Sequence, residues 1–224
     1  MKKILLGLFI LGTLGMAQQN YEVFVKSGVK ISQSEVDRDS KEIENIVNKI
    51  ISDYETRDKK IMLEKSRIIF LRNVKKQNQN DEDYKNFNTE DKEFYNKYFE
   101  IAVNEMINSL DKISKYVPKS ISFIDKNIAK VEVIEILPNL ESSNRDDDVE
   151  RAIKKAGITN EEMNNLKHIS DLSNQKRETI LKYLGEEFRK GLSETTEESN
   201  ILEFKKVNGK WQTKDKLYDL SEFK

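Results

Sequence analysis

The length, charge and composition of the chain exclude several classes of protein. It has 224 residues, 39 basic and 40 acidic side chains, a formal net charge of −1 and no cysteine. A chain so close to neutral has no electrostatic preference for nucleic acid or for an anionic membrane, so we predict neither partner. The absence of cysteine removes disulfides, thiolate metal ligands and thiol nucleophiles, and the eight glycines form no phosphate-binding loop.

Residues 1–17 have the pattern of a secretory signal peptide. A basic start at Lys2 is followed by an uncharged apolar run, and Gly15 and Ala17 occupy the −3 and −1 positions of a cleavage site. The run is shorter than the roughly 20 residues that span a bilayer. We therefore expect cleavage before Gln18 and an exported protein, periplasmic or extracellular. That protein would be soluble and, without a cysteine to lipidate, not lipid-anchored.

Residues 18–38 are predicted as an extended N-terminal arm. Tyr21, Val23 and Val25 occupy alternate positions, as in an edge strand of a sheet. A flexible start to the mature chain fits this short segment equally well.

Residues 39–76 are predicted to contain two helices. Asp39 and Glu42 have the spacing of a capping box, and apolar residues follow at helical spacing up to Tyr54. The next apolar run fits a helix better than a strand because strong helix formers precede it. This segment either packs on the rest of a single domain over residues 39–224 or forms a separate helical arm.

A polar loop at 77–88 is predicted to precede a long amphipathic helix. Asn88 or Thr89 can cap that helix, and apolar side chains recur at helical spacing as far as Ile113. Pro118 is expected to end it, because proline disfavours a helical residue before it.

The period then changes from helical to alternating, which predicts a β-hairpin. A three-residue loop ending at Asn127 sets Phe123 opposite Ala129 and Ile121 opposite Val131, so that one face of the hairpin is apolar. Asn127 would then take the left-handed conformation.

Three further helices and a second hairpin are predicted beyond Pro138. Gly157 ends the first helix, a capping box at Thr159 begins the second, and Gly191 ends the third. The Asn208-Gly209 pair is a strong signal for a type I′ turn, which places Trp211 on the same face as Leu202 and Phe204.

This order of elements predicts an α+β fold. N-terminal helices would precede a curved antiparallel sheet of about four strands, made of two hairpins with helices inserted between them.

Catalytic and metal-binding patterns are weak throughout the sequence. His168, the single histidine, lies near Asp171, but no nucleophile accompanies the pair. The acidic run 146–148 is better explained as the start of a helix than as a calcium loop. Glu132 and Glu135 point to opposite faces of a strand and cannot form a glycosidase pair. We therefore predict no catalytic residue, no metal site and no cofactor.

Aromatic side chains form the one cluster that suggests binding. They lie on the long helix and on the two hairpins, where they either pack in the core or line a pocket between helix and sheet. The candidate pocket residues are Tyr95, Tyr98, Phe123, Phe204 and Trp211.

The C-terminal part, over about residues 90–220, resembles the nuclear transport factor 2-like (cystatin-like) domains of bacterial secreted proteins and lipoproteins. The resemblance lies in a strand end at Pro138-Asn139-Leu140 and a closing hairpin at Val207-Asn208-Gly209-Lys210-Trp211. It implies a cone-shaped sheet, on which both enzymes and non-catalytic modules are built. The chain lacks the lipobox cysteine of many relatives, has extra N-terminal helices, and matches none of the acid–histidine pairs of the catalytic members.

These observations predict an exported module that binds a small ligand or an envelope protein without catalysis. A carboxylate-dependent hydrolase is one alternative. A structural protein that assembles through its N-terminal helices is the other.

Overall fold

A computed structural model describes residues 21–140 and 145–217, so the predicted signal peptide lies outside the described residues. The fold is α+β. Its helices are α1 (Gln33–Asp53), α2 (Lys59–Asn80), α3 (Glu82–Asn86), α4 (Thr89–Ile113), α5 (Arg145–Lys155), α6 (Asn160–Asn165) and α7 (Asn174–Gly191). Its strands are β1 (Glu22–Val25), β2 (Lys115–Asp125), β3 (Ile128–Pro138), β4 (Thr195–Val207) and β5 (Lys210–Gln212).

The five strands form one open sheet in the order β1-β2-β3-β4-β5. The four later strands pair antiparallel as the two predicted hairpins, but β1 adds a fifth strand that runs parallel to β2. The sheet is therefore mixed rather than purely antiparallel. The sequence indicated an edge strand here but not its partner, which lies at residues 120–123.

The predicted register of the first hairpin is confirmed, whereas its loop is not the one expected. Phe123 pairs with Ala129 and Ile121 with Val131. A register irregularity between Phe123 and Asp125 accommodates the extra residue, so a two-residue loop closes the hairpin. Asn127 keeps a negative φ, and its backbone N–H donates to the Asp125 carboxylate at 2.6 Å.

The prediction that Pro118 ends the long helix is wrong. α4 ends at Ile113, where the Ser114 hydroxyl and backbone N–H both donate to the Leu110 carbonyl. Pro118 lies inside β2 at a second register irregularity, where a proline is tolerated because the regular ladder is interrupted. This irregularity also shifts the inward-facing positions by one residue, so Tyr116 and Ile121 are both buried.

α1 begins seven residues before the predicted start, because a hydroxyl cap is available there. Ser32 accepts from the Glu35 backbone N–H, and the Glu35 carboxylate accepts from the Ser32 backbone N–H at 2.9 Å, which completes a capping box. Asp39, the expected cap, lies inside the helix instead. Its carboxylate is buried and accepts from the Lys206 ammonium on β4 at 2.7 Å.

The predicted loop at 77–88 is largely helical. α2 continues to Asn80, and Asp81 then caps α3 by accepting from the Tyr84 backbone N–H at 3.0 Å. A π-helical turn at Tyr54–Asp58 joins α1 to α2 without a loop. α1 packs on the sheet and α2 packs on α4, so residues 33–80 contact both the sheet and the long helix.

Several local signals of the C-terminal half are confirmed. Gly157 has a φ of +74° just after α5, and Thr159 caps α6 in a capping box with Glu162. Asn208 and Gly209 have φ values of 52° and 78°, as a type I′ turn requires.

Two groups of buried apolar side chains organise the fold, and we call them the sheet core and the helical core. The sheet core lies between α1 and the inner face of the sheet, and its members include Ile43, Tyr54, Tyr116, Ile121, Phe123, Phe204 and Trp211. The helical core lies between α4, α5 and α7, with Ala152, Ile158, Leu172, Ile180, Leu181, Leu184 and Phe188. None of the helices in the described ranges has the length and hydrophobicity needed to cross a membrane.

Candidate functional site

An apolar concavity lies on the helical core, and we call it the aromatic groove. Rings on and just before α4 form one wall, side chains of α5, α6 and the segment after α6 form the other, and α7 forms the floor. Its volume is about 610 Å³, within the range of about 300–1,000 Å³ typical of small-molecule sites. The apolar lining residues are Phe87, Phe94, Tyr95, Tyr98, Phe99, Val149, Ile153, Met163, Ile169, Ile180 and Leu184.

The first turns of α4 place the aromatic wall. The Asn88 side chain caps the helix by accepting from the Asp91 backbone N–H at 2.9 Å. Residues 91, 94, 95 and 98 then lie three or four positions apart, so they share one face of the helix. The sequence therefore puts one carboxylate and several rings on the same surface.

The rings contact one another, and Phe94 and Tyr98 also pack against the helical core, where Tyr98 meets Phe188 of α7. Tyr95 is central: its ring centroid lies 5.2 Å from that of Phe87, 5.5 Å from Phe99 and 6.1 Å from Tyr98. The tilted and edge-on geometries are those that aromatic pairs prefer. Tyr95 is nevertheless 39% exposed, so part of this wall remains open to a ligand.

A polar corner closes one end of the groove, and Asp91 and His168 form its centre. His168 Nδ1 lies 2.9 Å from Asp91 Oδ2, and the Ser170 backbone N–H donates to Asp91 Oδ1 at 2.8 Å. Asp91 is only 3% exposed, whereas about half of the His168 side chain is accessible. Both carboxylate oxygens are thus engaged, and the imidazole remains accessible from the groove.

The tautomer of His168 follows from this pairing. A carboxylate can only accept hydrogen bonds, so Nδ1 must carry a proton. Nε2 is then a lone-pair acceptor in the neutral ring and a donor only in the imidazolium. Lys167, next to it on the rim, adds an exposed ammonium group.

The sequence paired His168 with Asp171, and the structure assigns Asp171 a different role. Its carboxylate accepts from the backbone N–H groups of Lys167 at 3.2 Å and His168 at 3.0 Å. It therefore shapes the turn that carries His168, while the imidazole bonds to Asp91, 77 residues earlier. The sequence carried no signal for this long-range pair beyond the position of Asp91 in the first turn of a helix.

The structure does not bring the five predicted pocket residues together. Tyr95 and Tyr98 line the aromatic groove, but Phe123, Phe204 and Trp211 belong to the sheet core. Phe123 and Phe204 are fully buried there, and the rings of Phe123 and Trp211 meet edge-on at 5.8 Å. Helical periodicity showed that α4 has an aromatic face, but that face lines the groove beside α7 rather than packing on the sheet.

The other acidic candidates have structural partners. Asp148, in the first turn of α5, bonds to Arg151. Glu132 and Glu135 do face opposite sides of β3: Glu132 pairs with Lys119 at 3.2 Å, while Glu135 accepts from the Tyr116 hydroxyl at 2.8 Å. Within residues 21–140 and 145–217, no three acidic or histidine side chains lie close enough together to hold a metal ion.

Comparison with known proteins finds no matching family model, no similar curated protein and no similar solved structure. The resemblance to nuclear transport factor 2-like domains therefore stays a prediction from two short motifs.

Proposed function

We propose that this chain is an exported, non-catalytic binding module that holds a small apolar molecule in the aromatic groove. The accessible rings of the groove wall support this most directly. Large apolar side chains are normally covered, and a contiguous group left open on a concave surface is typical of a binding site.

Burial of apolar surface supplies the driving force in this proposal. A ligand that covers about 200 Å² of apolar surface gains about 5 kcal/mol, of which part is offset by the loss of its translational freedom. Aromatic rings add a preference for flat or aromatic ligands through tilted and edge-on contacts. Binding should therefore depend little on salt.

Titration with N-phenyl-1-naphthylamine, a neutral dye that fluoresces in apolar surroundings, tests the proposal. The wild-type protein should enhance its emission, and Tyr95→Ser should weaken binding about fivefold because one ring contact is lost. Phe70→Ser on α2 is a matched control, since Phe70 is 40% exposed, as much as Tyr95, but does not line the groove.

Two results would overturn this assignment of the groove. One is a wild-type protein that leaves the dye emission unchanged. The other is equal affinity of the wild-type and Tyr95→Ser proteins. Circular dichroism of both variants checks that neither substitution has altered the fold.

The two alternative functions have less support from the described residues. A carboxylate-dependent hydrolase needs two acids in one cleft, and of the described residues lining the groove Asp91 is the acid, with both oxygens engaged. Assembly through the N-terminal helices would need their apolar faces. Ile43 and Val47 of α1 are buried in the sheet core, so this helix has no apolar face to offer. On α2, Ile61, Ile68 and Phe70 are exposed, and assembly would have to use that helix.

Export is the part of the proposal that rests on sequence alone. The basic start, apolar run and small residues of positions 1–17 support it, as does the fit of the chain to the secreted proteins it resembles. The cone shape of the sheet belongs to the same resemblance. Mass spectrometry of protein recovered outside the cytoplasm should give an N-terminus at Gln18. An exported chain that still begins at Met1 would contradict cleavage.

A further inference from the structure

The polar corner of the aromatic groove restricts the chemistry of the ligand. We propose that the groove selects an apolar, ring-containing molecule that carries a hydroxyl group, and that the hydroxyl donates its hydrogen bond to Nε2 of His168. This inference rests on the proposed function, because it names the ligand class of the same groove.

Asp91 is the residue that sets this selectivity. Because its carboxylate accepts from Nδ1, the neutral imidazole must present an acceptor at Nε2. Nε2 forms no hydrogen bond with residues in the described part of the chain. A hydroxyl group complements this lone pair, whereas a ketone or an ether has only acceptors and cannot.

The surroundings hold Asp91 and His168 in this arrangement. The second oxygen of Asp91 is occupied by the Ser170 backbone N–H, so the carboxylate cannot rotate away without losing that bond. Ser170 is itself fixed by the Asn88 side chain, whose amide donates to its hydroxyl at 2.8 Å. Asp91 is thus a positioning residue that acts through the imidazole.

Neighbouring charges do not compete for the imidazole. Glu90 pairs with Arg177 at 2.8 Å, and Glu162 pairs with Lys176. Asp171 accepts from two backbone N–H groups. Lys167 is exposed and forms no ion pair with the described residues, so it can donate to the ligand oxygen while that hydroxyl donates to His168.

Matched naphthalenes test the selectivity by displacement of N-phenyl-1-naphthylamine at pH 8. 2-Naphthol should bind about fivefold tighter than 2-methoxynaphthalene, which keeps the acceptor oxygen but lacks the donor. 2-Ethylnaphthalene, similar in size to the methyl ether, controls for the added bulk.

Two variants separate the hydrogen bond from general packing. His168→Phe keeps a ring at the corner, so it should bind 2-naphthol and 2-methoxynaphthalene equally. Asp91→Asn can still accept from Ser170, but its amide would donate to Nδ1 and leave the proton on Nε2. It should therefore lose the preference for 2-naphthol and gain affinity for 2-acetylnaphthalene, an acceptor without a donor. A purely structural role for Asp91 would not change the ligand preference from a hydrogen-bond donor to an acceptor.

The results of these binding experiments separate the proposed binding function from the proposed hydroxyl selectivity. If no naphthalene binds, the proposed function itself fails. If all bind equally, the binding module stands and the hydroxyl selectivity is wrong. Tighter binding of 2-naphthoate than of 2-naphthol would overturn the inference, because cationic groups would then govern the corner. Retained preference in His168→Phe would also overturn it. Should Asp91→Asn fail to fold by circular dichroism, His168→Phe still decides the matter.

Discussion

A glutamate that is at least half-buried lies beside each of the two cores, and the partners of the two glutamates differ. Glu187 of α7 is 4% exposed, and it accepts from Lys155, from Lys190 at 3.0 Å and from Arg151 at 2.9 Å. Glu135 of β3 is half-buried, and it accepts from the Tyr116 hydroxyl and the Asn200 amide, which are both neutral.

The difference in partners shifts the two pKa values in opposite directions. Hydrogen bonds from Lys155 and Lys190 lower the pKa of the Glu187 carboxyl to about 2. Burial raises the pKa of the Glu135 carboxyl, and its hydrogen bonds with Tyr116 and Asn200 only partly offset that effect. Cationic partners can therefore stabilise the ionised form of a buried carboxyl group. Neutral partners satisfy its hydrogen bonds but do not offset the free energy that the ionised form loses on dehydration.

The pH dependence of stability follows with opposite sign in the two regions. Glu187 stabilises the folded protein above the ordinary glutamate pKa of about 4.3, and this contribution is lost as the pH falls toward 2. Glu135 has the opposite effect on stability. As the pH rises, its carboxyl group ionises at a lower pH in the unfolded chain than in the folded protein. Its contribution declines from about pH 4.3 upward to its raised folded pKa.

The largest expected effect in the sheet core comes from Trp211→Ala. Trp211 is 2% exposed, and its removal should lower the free energy of unfolding by about 3–5 kcal/mol because a large cavity remains. Urea denaturation followed by circular dichroism measures the loss. Phe70→Ala, at an exposed ring, should change stability by less than about 0.5 kcal/mol. An unchanged urea midpoint in Trp211→Ala would contradict the position of β5.

Substitution of Glu187 tests the charged partner set of the helical core. Glu187→Gln should cost about 2 kcal/mol at pH 7, since charge-assisted hydrogen bonds are lost. The variant should also lose less stability than the wild type between pH 4.5 and pH 2. Glu178 lies on α7 like Glu187, but its pair with Lys97 of α4 is exposed. Glu178→Gln should therefore cost less than about 1 kcal/mol. Parallel pH profiles for the wild type and Glu187→Gln would show that Glu187 does not titrate as described.

A smaller loss is expected at the turn between β4 and β5. Gly209 has a φ of 78°, so Gly209→Ala should cost about 1–2 kcal/mol by forcing a side chain into the left-handed region. Because a Cβ at this position would have no neighbour within 4 Å, the cost would be conformational rather than steric. Thermal unfolding checks it, and a melting temperature equal to that of the wild type would rule out the strained turn.

The smallest effect, and the one of opposite sign, is expected for Glu135→Gln. The neutral amide can still accept from Tyr116 but no longer carries a desolvated charge, so the variant should be more stable than the wild type at pH 7. The gain should shrink toward pH 4. Trp211 emission, which reports on the sheet core, follows this change in urea. A loss of stability at pH 7 would mean that Glu135 has a cationic partner.

The sequence predicted the features that depend on neighbouring residues. The register of Phe123 opposite Ala129, the cap at Thr159 and the Asn208-Gly209 turn were all predicted correctly, because backbone sterics and short-range hydrogen bonds determine them. The start of α1 was predicted wrongly. There, the hydroxyl cap at Ser32 was overlooked in favour of an acid, Asp39, that pairs with a distant lysine.

Features that join distant parts of the chain could not be predicted in this way. The face of α4 that carries Tyr95 and Tyr98 was recognisable, but periodicity does not say which element covers a face. The bond between Asp91 and His168 depends on how α4 meets the turn before α7, which no local pattern encodes. The sequence therefore indicated the aromatic face of α4 but neither the polar corner nor the separation of Phe123, Phe204 and Trp211 from that face.

The parallel pairing of β1 constrains the order in which the chain can fold. β1 is made first, yet its partner in β2 follows about 100 residues later, which is a contact of high sequence separation. The two hairpins are local and can form without it. A chain that emerges from a ribosome N-terminus first must keep residues 22–25 unpaired until β2 has followed. Completion of this sheet edge is therefore a late step, and before it the edge of β2 is open to strands of other chains.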